Sequence, residues 1–132
     1  MKINNQNSVN GAPLIWLRCE GVFAFILSIL LYAHTGASWW RFAALLLVPD
    51  VSMLGYLSGS RLGAIGYNVV HSYVAPLLLT VLAITTAHTT AIPYLLTWVA
   101  HIAMDRALGY GLKYSSGFKH THLGLLGKTA QP

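Results

Sequence analysis

The chain has very little charge: its 132 residues include 3 acids, and Asp, Glu, Lys and Arg together make up 8%. A soluble domain carries about 25% charged residues, so there is too little here to clothe a water-facing surface. Cysteine is almost absent. The single Cys19 excludes an intrachain disulfide and a Cys-rich zinc motif. No Gly-rich phosphate loop, nucleophile elbow or dinucleotide fingerprint occurs, and no polar stretch is long enough to form a domain for soluble-cofactor chemistry. The net charge of +5 suggests nucleic acid at first sight. The basic residues are scattered among apolar runs, however, which suits a rim facing anionic lipid, so the expected partner is a lipid bilayer and not nucleic acid.

Apolar sequence is abundant, with 55% hydrophobic residues and mean hydropathy +0.58. Four stretches approach the roughly 20 apolar residues that a membrane span needs, at about 13–32, 39–57, 62–85 and 91–112. His34–Ser38, Ser58–Ser60 and His88–Thr90 separate them. Such short connections make neighbouring helices antiparallel. The expected fold is an all-α integral membrane four-helix bundle, with a flexible tail over 1–12 and a C-terminal tail over 113–132. Arg18 and Glu20 interrupt the first apolar run, which argues against a cleaved signal peptide.

Orientation follows from the basic residues. With the N-terminus inside, Lys2, Arg18, Arg61, Arg106, Lys113, Lys119 and Lys128 fall on or near the cytoplasmic side, and only Arg41 falls outside. The positive-inside rule then places both termini in the cytoplasm. This predicts a multi-pass protein of a bacterial inner membrane.

All three acids, Glu20, Asp50 and Asp105, fall inside the expected spans. A carboxylate at the centre of a membrane helix costs a few kcal/mol, so each should face the bundle interior and have a partner. At 1.5 Å rise per residue, Glu20, Asp50, His71, His101 and Asp105 lie within roughly 10–17 Å of one membrane boundary. They form one layer to which all four helices contribute. His101 and Asp105 share a helix face at i, i+4, and His71 shares one with Asn68 at i, i+3; Tyr67 stands beside them. Asp50 follows Pro49, whose missing N–H can kink the second helix and turn Asp50 and Ser52 inward. Two imidazoles with carboxylates suit zinc, iron or manganese better than copper(I).

Each feature also has a plainer reading. Glu20 could simply pair with Arg106 or Arg61. Arg18 reads as a snorkelling interfacial charge. The His and Asp residues could be interhelical hydrogen-bonded glue worth ~0.6–2 kcal/mol. His34 and His88 read as solvated loop residues. His120 and His122 could add a ligand if the C-terminal tail folds back under the bundle.

Three stretches carry a resemblance: Pro49–Tyr56 (PDVSMLGY), Tyr67–Tyr73 (YNVVHSY) and His101–Tyr114 (HIAMDRALGYGLKY). With Leu17–Gly21 and the tail Gly117–Gly124, they resemble a small bacterial membrane protein family known only as a domain of unknown function. An acid stands in that pattern where this chain has His120, and a leucine-like residue where it has Cys19. His122 matches, which makes it a candidate ligand. A more distant likeness is to bacterial membrane-bound metal-dependent hydrolases, which also place Pro-Asp, His and His-x-x-x-Asp on successive helices. That pattern falls here on Asp50, His71, His101 and Asp105.

The expected function is therefore a membrane-embedded, metal-dependent hydrolase acting on a lipid or small amphiphile near the cytoplasmic leaflet, with a lipid phosphate or ester as the candidate substrate. Asp50, His71, His101, Asp105 and His122 would hold one or two divalent metals (zinc, iron or manganese), with Glu20 as general base or bridging ligand beside Asp50, His101 and Asp105. Arg61, Arg106 and Lys113, with Tyr67 and Asn68, would meet a headgroup. The rival expectation is a homo-oligomeric module relaying protons or cations through the His/Asp layer. A third is a structural bundle with polar glue.

Overall fold

The computed structural model describes residues 8–126. Lys2, Lys128 and the first seven residues of the expected N-terminal tail lie outside that range. The chain runs as helix α1 (Ala12–His34), α2 (Trp39–Leu45), a 3₁₀ stretch (Val48–Ser58), α3 (Ser60–Val70), α4 (Val74–Thr85) and α5 (Ile92–Leu108), followed by a small hairpin of β1 (His120–Thr121) and β2 (Gly124–Leu125). These make four rods, because α2 continues into the 3₁₀ stretch and α3 into α4. Three rods, Ala12–His34, Trp39–Ser58 and Ser60–Thr85, are long and apolar enough to cross a membrane. Their outer faces carry large apolar side chains, Phe23, Leu57 and Leu78 among them, as lipid contact requires.

The fourth rod, α5, is the centre of the bundle. Ala100, His101, Ile102 and Ala103 are all fully buried, and four consecutive buried residues can occur only on a helix surrounded on every side. Its most extensive partner is α1. Small residues permit this approach, as in membrane helix pairs generally. A Cβ on Gly21 would lie 2.6 Å from the Ala107 nitrogen and 3.0 Å from the Ala103 carbonyl oxygen. At the end of the bundle where α1 gives way to α2, Tyr32, Trp39 and Phe42 pack ring against ring, and the Tyr32 hydroxyl donates to the Ser38 carbonyl at 2.7 Å.

The end of the last helix and a break in the third rod differ from the sequence expectation, whereas a change at Pro49 was expected; each has a local cause. The last helix stops at Leu108, not Leu112. Gly109 takes a left-handed conformation (φ 92°), and the Gly109 and Tyr110 N–H groups donate back to the Arg106 and Asp105 carbonyls at 3.1 and 2.8 Å, a Schellman end. The second rod changes pitch at Pro49. Its 3₁₀ repeat of three residues per turn sends Val51, Leu54 and Leu57 to lipid and keeps Asp50, Met53 and Tyr56 half-buried. The third rod breaks at His71–Tyr73. Pro76 has no N–H to offer the Ser72 carbonyl, and its ring crowds that group.

Residues 109–126 are not a loose tail. Asn68 holds the Lys113 backbone on both sides, donating to its carbonyl at 2.8 Å and accepting from its N–H at 2.7 Å. Lys113 bridges to Thr121, the hairpin folds back, and the Val9 N–H donates to the His122 carbonyl at 2.8 Å. The segment forms a strap across the end of the bundle where α1 begins and α5 ends.

Candidate metal centre

The two helix breaks place two of the four residues that converge here. Pro49 precedes Asp50 where α2 gives way to the 3₁₀ stretch. His71 caps α3 at the break that Pro76 imposes. The carbonyls freed there are satisfied by α5: the Trp98 indole N–H donates to Val70 at 2.7 Å, and Arg106 donates to His71 at 2.9 Å. Polar backbone left open in a membrane interior needs such partners. The other two residues, His101 and Asp105, stand one turn apart on α5.

Their ligating atoms meet closely. His71 Nε2 and His101 Nε2 are 3.1 Å apart. Asp50 Oδ1 lies 3.4 Å from both nitrogens, and Asp105 Oδ2 lies 3.6 Å from His71 Nε2 and 3.5 Å from His101 Nε2. All four atoms fall within 4.8 Å of one another. A tetrahedral cation with bonds of about 2.0–2.1 Å requires ligand atoms about 3.3–3.4 Å apart, and five of the six edges, at 3.1–3.6 Å, lie close to that size.

Hydrogen bonding fixes what these atoms present. His71 Nδ1 lies 3.0 Å from the Tyr67 carbonyl oxygen, which can only accept, so Nδ1 carries the proton and Nε2 turns its lone pair inward. That lone pair meets two carboxylate oxygens and a second imidazole nitrogen. Acceptors crowded in this way need a cation or protons among them. The Tyr67 ring stacks on His71 with centroids 3.7 Å apart, and its hydroxyl lies 3.5 Å from Asp105 Oδ2. His101 Nδ1 is buried without a hydrogen-bond partner. His71, His101 and Asp105 are buried, whereas the Asp50 side chain is 34% exposed, so the centre opens on the Asp50 side. The ligand set of two imidazoles and two carboxylates fits zinc, iron or manganese.

The other candidate residues lie elsewhere or do other work. Glu20 is exposed and forms no ion pair among the described residues. It lines a separate cavity of about 200 Å³ with Tyr73, Arg106 and His122, not the quartet. His122 is not a fifth ligand: its Nδ1 accepts from the Leu112 N–H at 2.9 Å, and it belongs to the strap. Burial pushes its imidazole below the usual range, and the nearby Arg106 charge adds to this. Arg106 spends its donors on the Tyr110 and His71 carbonyls. Lys113 is turned inward, donating to the Phe118 carbonyl at 3.0 Å and lying over the Phe118 and Tyr67 rings. Burial holds its ammonium below the usual lysine range, while Asp105 and Asp50 pull the other way. Asn68 is saturated by the Lys113 backbone, and Tyr67 serves the quartet. Of the expected headgroup residues, Arg61 is the exposed one. Arg18 does more than snorkel, since its Nε donates to the Ala107 carbonyl at 3.0 Å and caps α5.

Sequence reasoning did not reach Pro76 as the cause of the break at His71, or Trp98 as the donor that closes it. A proline four residues after Ser72 was the available signal for the first.

No match was found among curated proteins or among solved structures, so the likeness to hydrolases rests on the Asp50, His71, His101 and Asp105 pattern alone. The sequence model of the family described as Domain of unknown function (DUF4260) matches residues 14–126, and the chain belongs to that family.

Proposed function

We propose that the protein is a membrane-embedded metalloenzyme that hydrolyses an ester or phosphoester bond in an amphiphile of the bilayer. The carrying observation is the convergence of Asp50 Oδ1, His71 Nε2, His101 Nε2 and Asp105 Oδ2 at tetrahedral spacing within a bundle that offers lipid-facing surfaces. The cell is taken as bacterial, with the protein in the inner membrane and both termini in the cytoplasm, in keeping with seven basic residues against one.

A divalent cation held there would polarise the scissile group and acidify a water molecule. Asp50 is the quartet member open to the outside, and only its Oδ1 is committed inward, which leaves Oδ2 to take the proton of an attacking water. Oxygen from that water bonds to the carbonyl carbon or phosphorus, the bond to the alcohol oxygen breaks, and the departing alkoxide receives the proton. Asp50 thus takes the base role expected of Glu20. Tyr67 and the His71 backbone contact hold the ligands in orientation, as outer partners do in metal sites. Arg61 remains available to an anionic headgroup.

The test is a panel of p-nitrophenyl acyl esters and phosphate monoesters in mixed micelles, with protein loaded with zinc or manganese. Turnover that disappears with chelator and in Asp105→Ala supports the reading. A protein that holds a full equivalent of metal and turns over no member of either class would overturn hydrolysis.

A further inference from the structure

We infer that the apolar cavity next to the quartet is the seat of one straight hydrocarbon chain of the substrate, which makes the substrate a chain-bearing amphiphile and not a small soluble ester. This rests on the hydrolytic reading above and specifies its substrate class. The cavity measures about 510 Å³ and lies between the second rod and α5, lined by Leu45, Val48, Ser52, Val70, Tyr94 and Trp98 among others. That size falls within the roughly 300–1,000 Å³ of small-molecule sites.

Its position selects the occupant. Val48 and Tyr94 are about half exposed, so the cavity opens at the surface beside the second rod, one of the three rods apolar enough to cross a membrane. One end is wholly apolar at Leu45 and Val48. The other abuts the quartet: Pro49 and Val51 line it on either side of Asp50, Val70 precedes His71, and Thr97 stands one turn before His101. At that end the Ser52 hydroxyl is buried and has no hydrogen-bond partner. An unpaired buried hydroxyl costs about 1–3 kcal/mol, and the polar head of an entering amphiphile would satisfy it. The strap covers the alternative approach, with the Lys113 ammonium lying over the Tyr67 ring and the Phe118 ring against Lys113 and Tyr56. A chain lying from Leu45 towards Ser52 therefore brings its head group to Asp50, the open side of the centre.

The probe is palmitic acid carrying a terminal diazirine, photolysed with the full-length protein in detergent micelles, with metal content measured on the same samples. Labelling of peptides containing Leu45, Val48 and Trp98 is expected to saturate, to be competed by excess unlabelled palmitate, and to fall at least fivefold in Leu45→Trp, which fills the apolar end. Leu78→Trp on the lipid face of α4 is expected to leave it unchanged. Saturable labelling of a metal-free protein would support the chain seat while removing the enzymatic reading. A metal-loaded protein whose labelling is spread over all lipid-facing peptides, without saturation or competition, would overturn the chain seat and leave the metal centre standing.

Discussion

Replacing Asp50 with asparagine should change stability in opposite directions with and without metal. In the metal-free protein, His71 Nε2 faces two carboxylate oxygens and a second imidazole nitrogen at 3.1–3.6 Å. Asp50→Asn removes one of those carboxylates and supplies an N–H that either imidazole can accept. One such hydrogen bond is worth about 0.5–1.5 kcal/mol. With metal at a hundred times its dissociation constant, the wild type gains about 2.7 kcal/mol from binding, and the variant loses most of that gain along with the ligand. The midpoint of unfolding moves about 3–5 °C per kcal/mol for a chain of this size. In chelator, Asp50→Asn should therefore unfold a few degrees above wild type. With zinc, the wild type should rise about 10 °C and overtake it. Thermal unfolding in detergent at pH 7, followed by the four tryptophans, reads both. An Asp50→Asn variant that is destabilised equally in chelator and in zinc would refute the electrostatic argument.

Pro76→Ala restores the N–H that α4 lacks and lets α3 and α4 join, which draws His71 out of the quartet; zinc affinity measured by chelator competition should fall about 10–100-fold, the range for lost orienting contacts. Asn68→Ala removes both hydrogen bonds to the Lys113 backbone, at a cost of about 1–3 kcal/mol, and trypsin should then cut after Lys113 or Lys119 much faster than in wild type. His122 is held below its ordinary pKa of 6.5 by burial. The unfolded strap therefore binds the proton more readily, and strap stability should decline as pH falls below about 6.5. Hydrogen exchange at the Leu112 amide should accelerate over that window, and His122→Gln should flatten the dependence.

Much of this molecule is legible in sequence because a membrane penalises polar groups so heavily. Acids lying in apolar runs are expected to turn inward; Asp50 and Asp105 do, and the Asp50, His71, His101 and Asp105 layer follows from depth and helical spacing, whereas Glu20 stays exposed. Helix phase within that layer is harder to read. Glu20 sits at a comparable depth, yet the close approach of Gly21 to Ala103 and Ala107 points it into a different cavity. The strap was the least legible part. Nothing in the periodicity of Gly109–Leu126 announces that Asn68 will clamp Lys113, because that contact joins residues 45 apart. Candidates for a cytoplasmic basic rim, Lys113 above all, became buried packing as a result. The breaks at Pro49 and Pro76 are both encoded locally, and both place a ligand where a regular helix would not.

The most direct test of the central claim is elemental analysis of the detergent-purified protein, prepared without chelator, beside the His71→Ala/His101→Ala double variant. One divalent cation of zinc, iron or manganese per chain is expected in the wild type and none in the variant, with both still inserted in the membrane. A wild type that carries no metal and takes none up when titrated would contradict it, and would leave the quartet as protonated, hydrogen-bonded glue between helices.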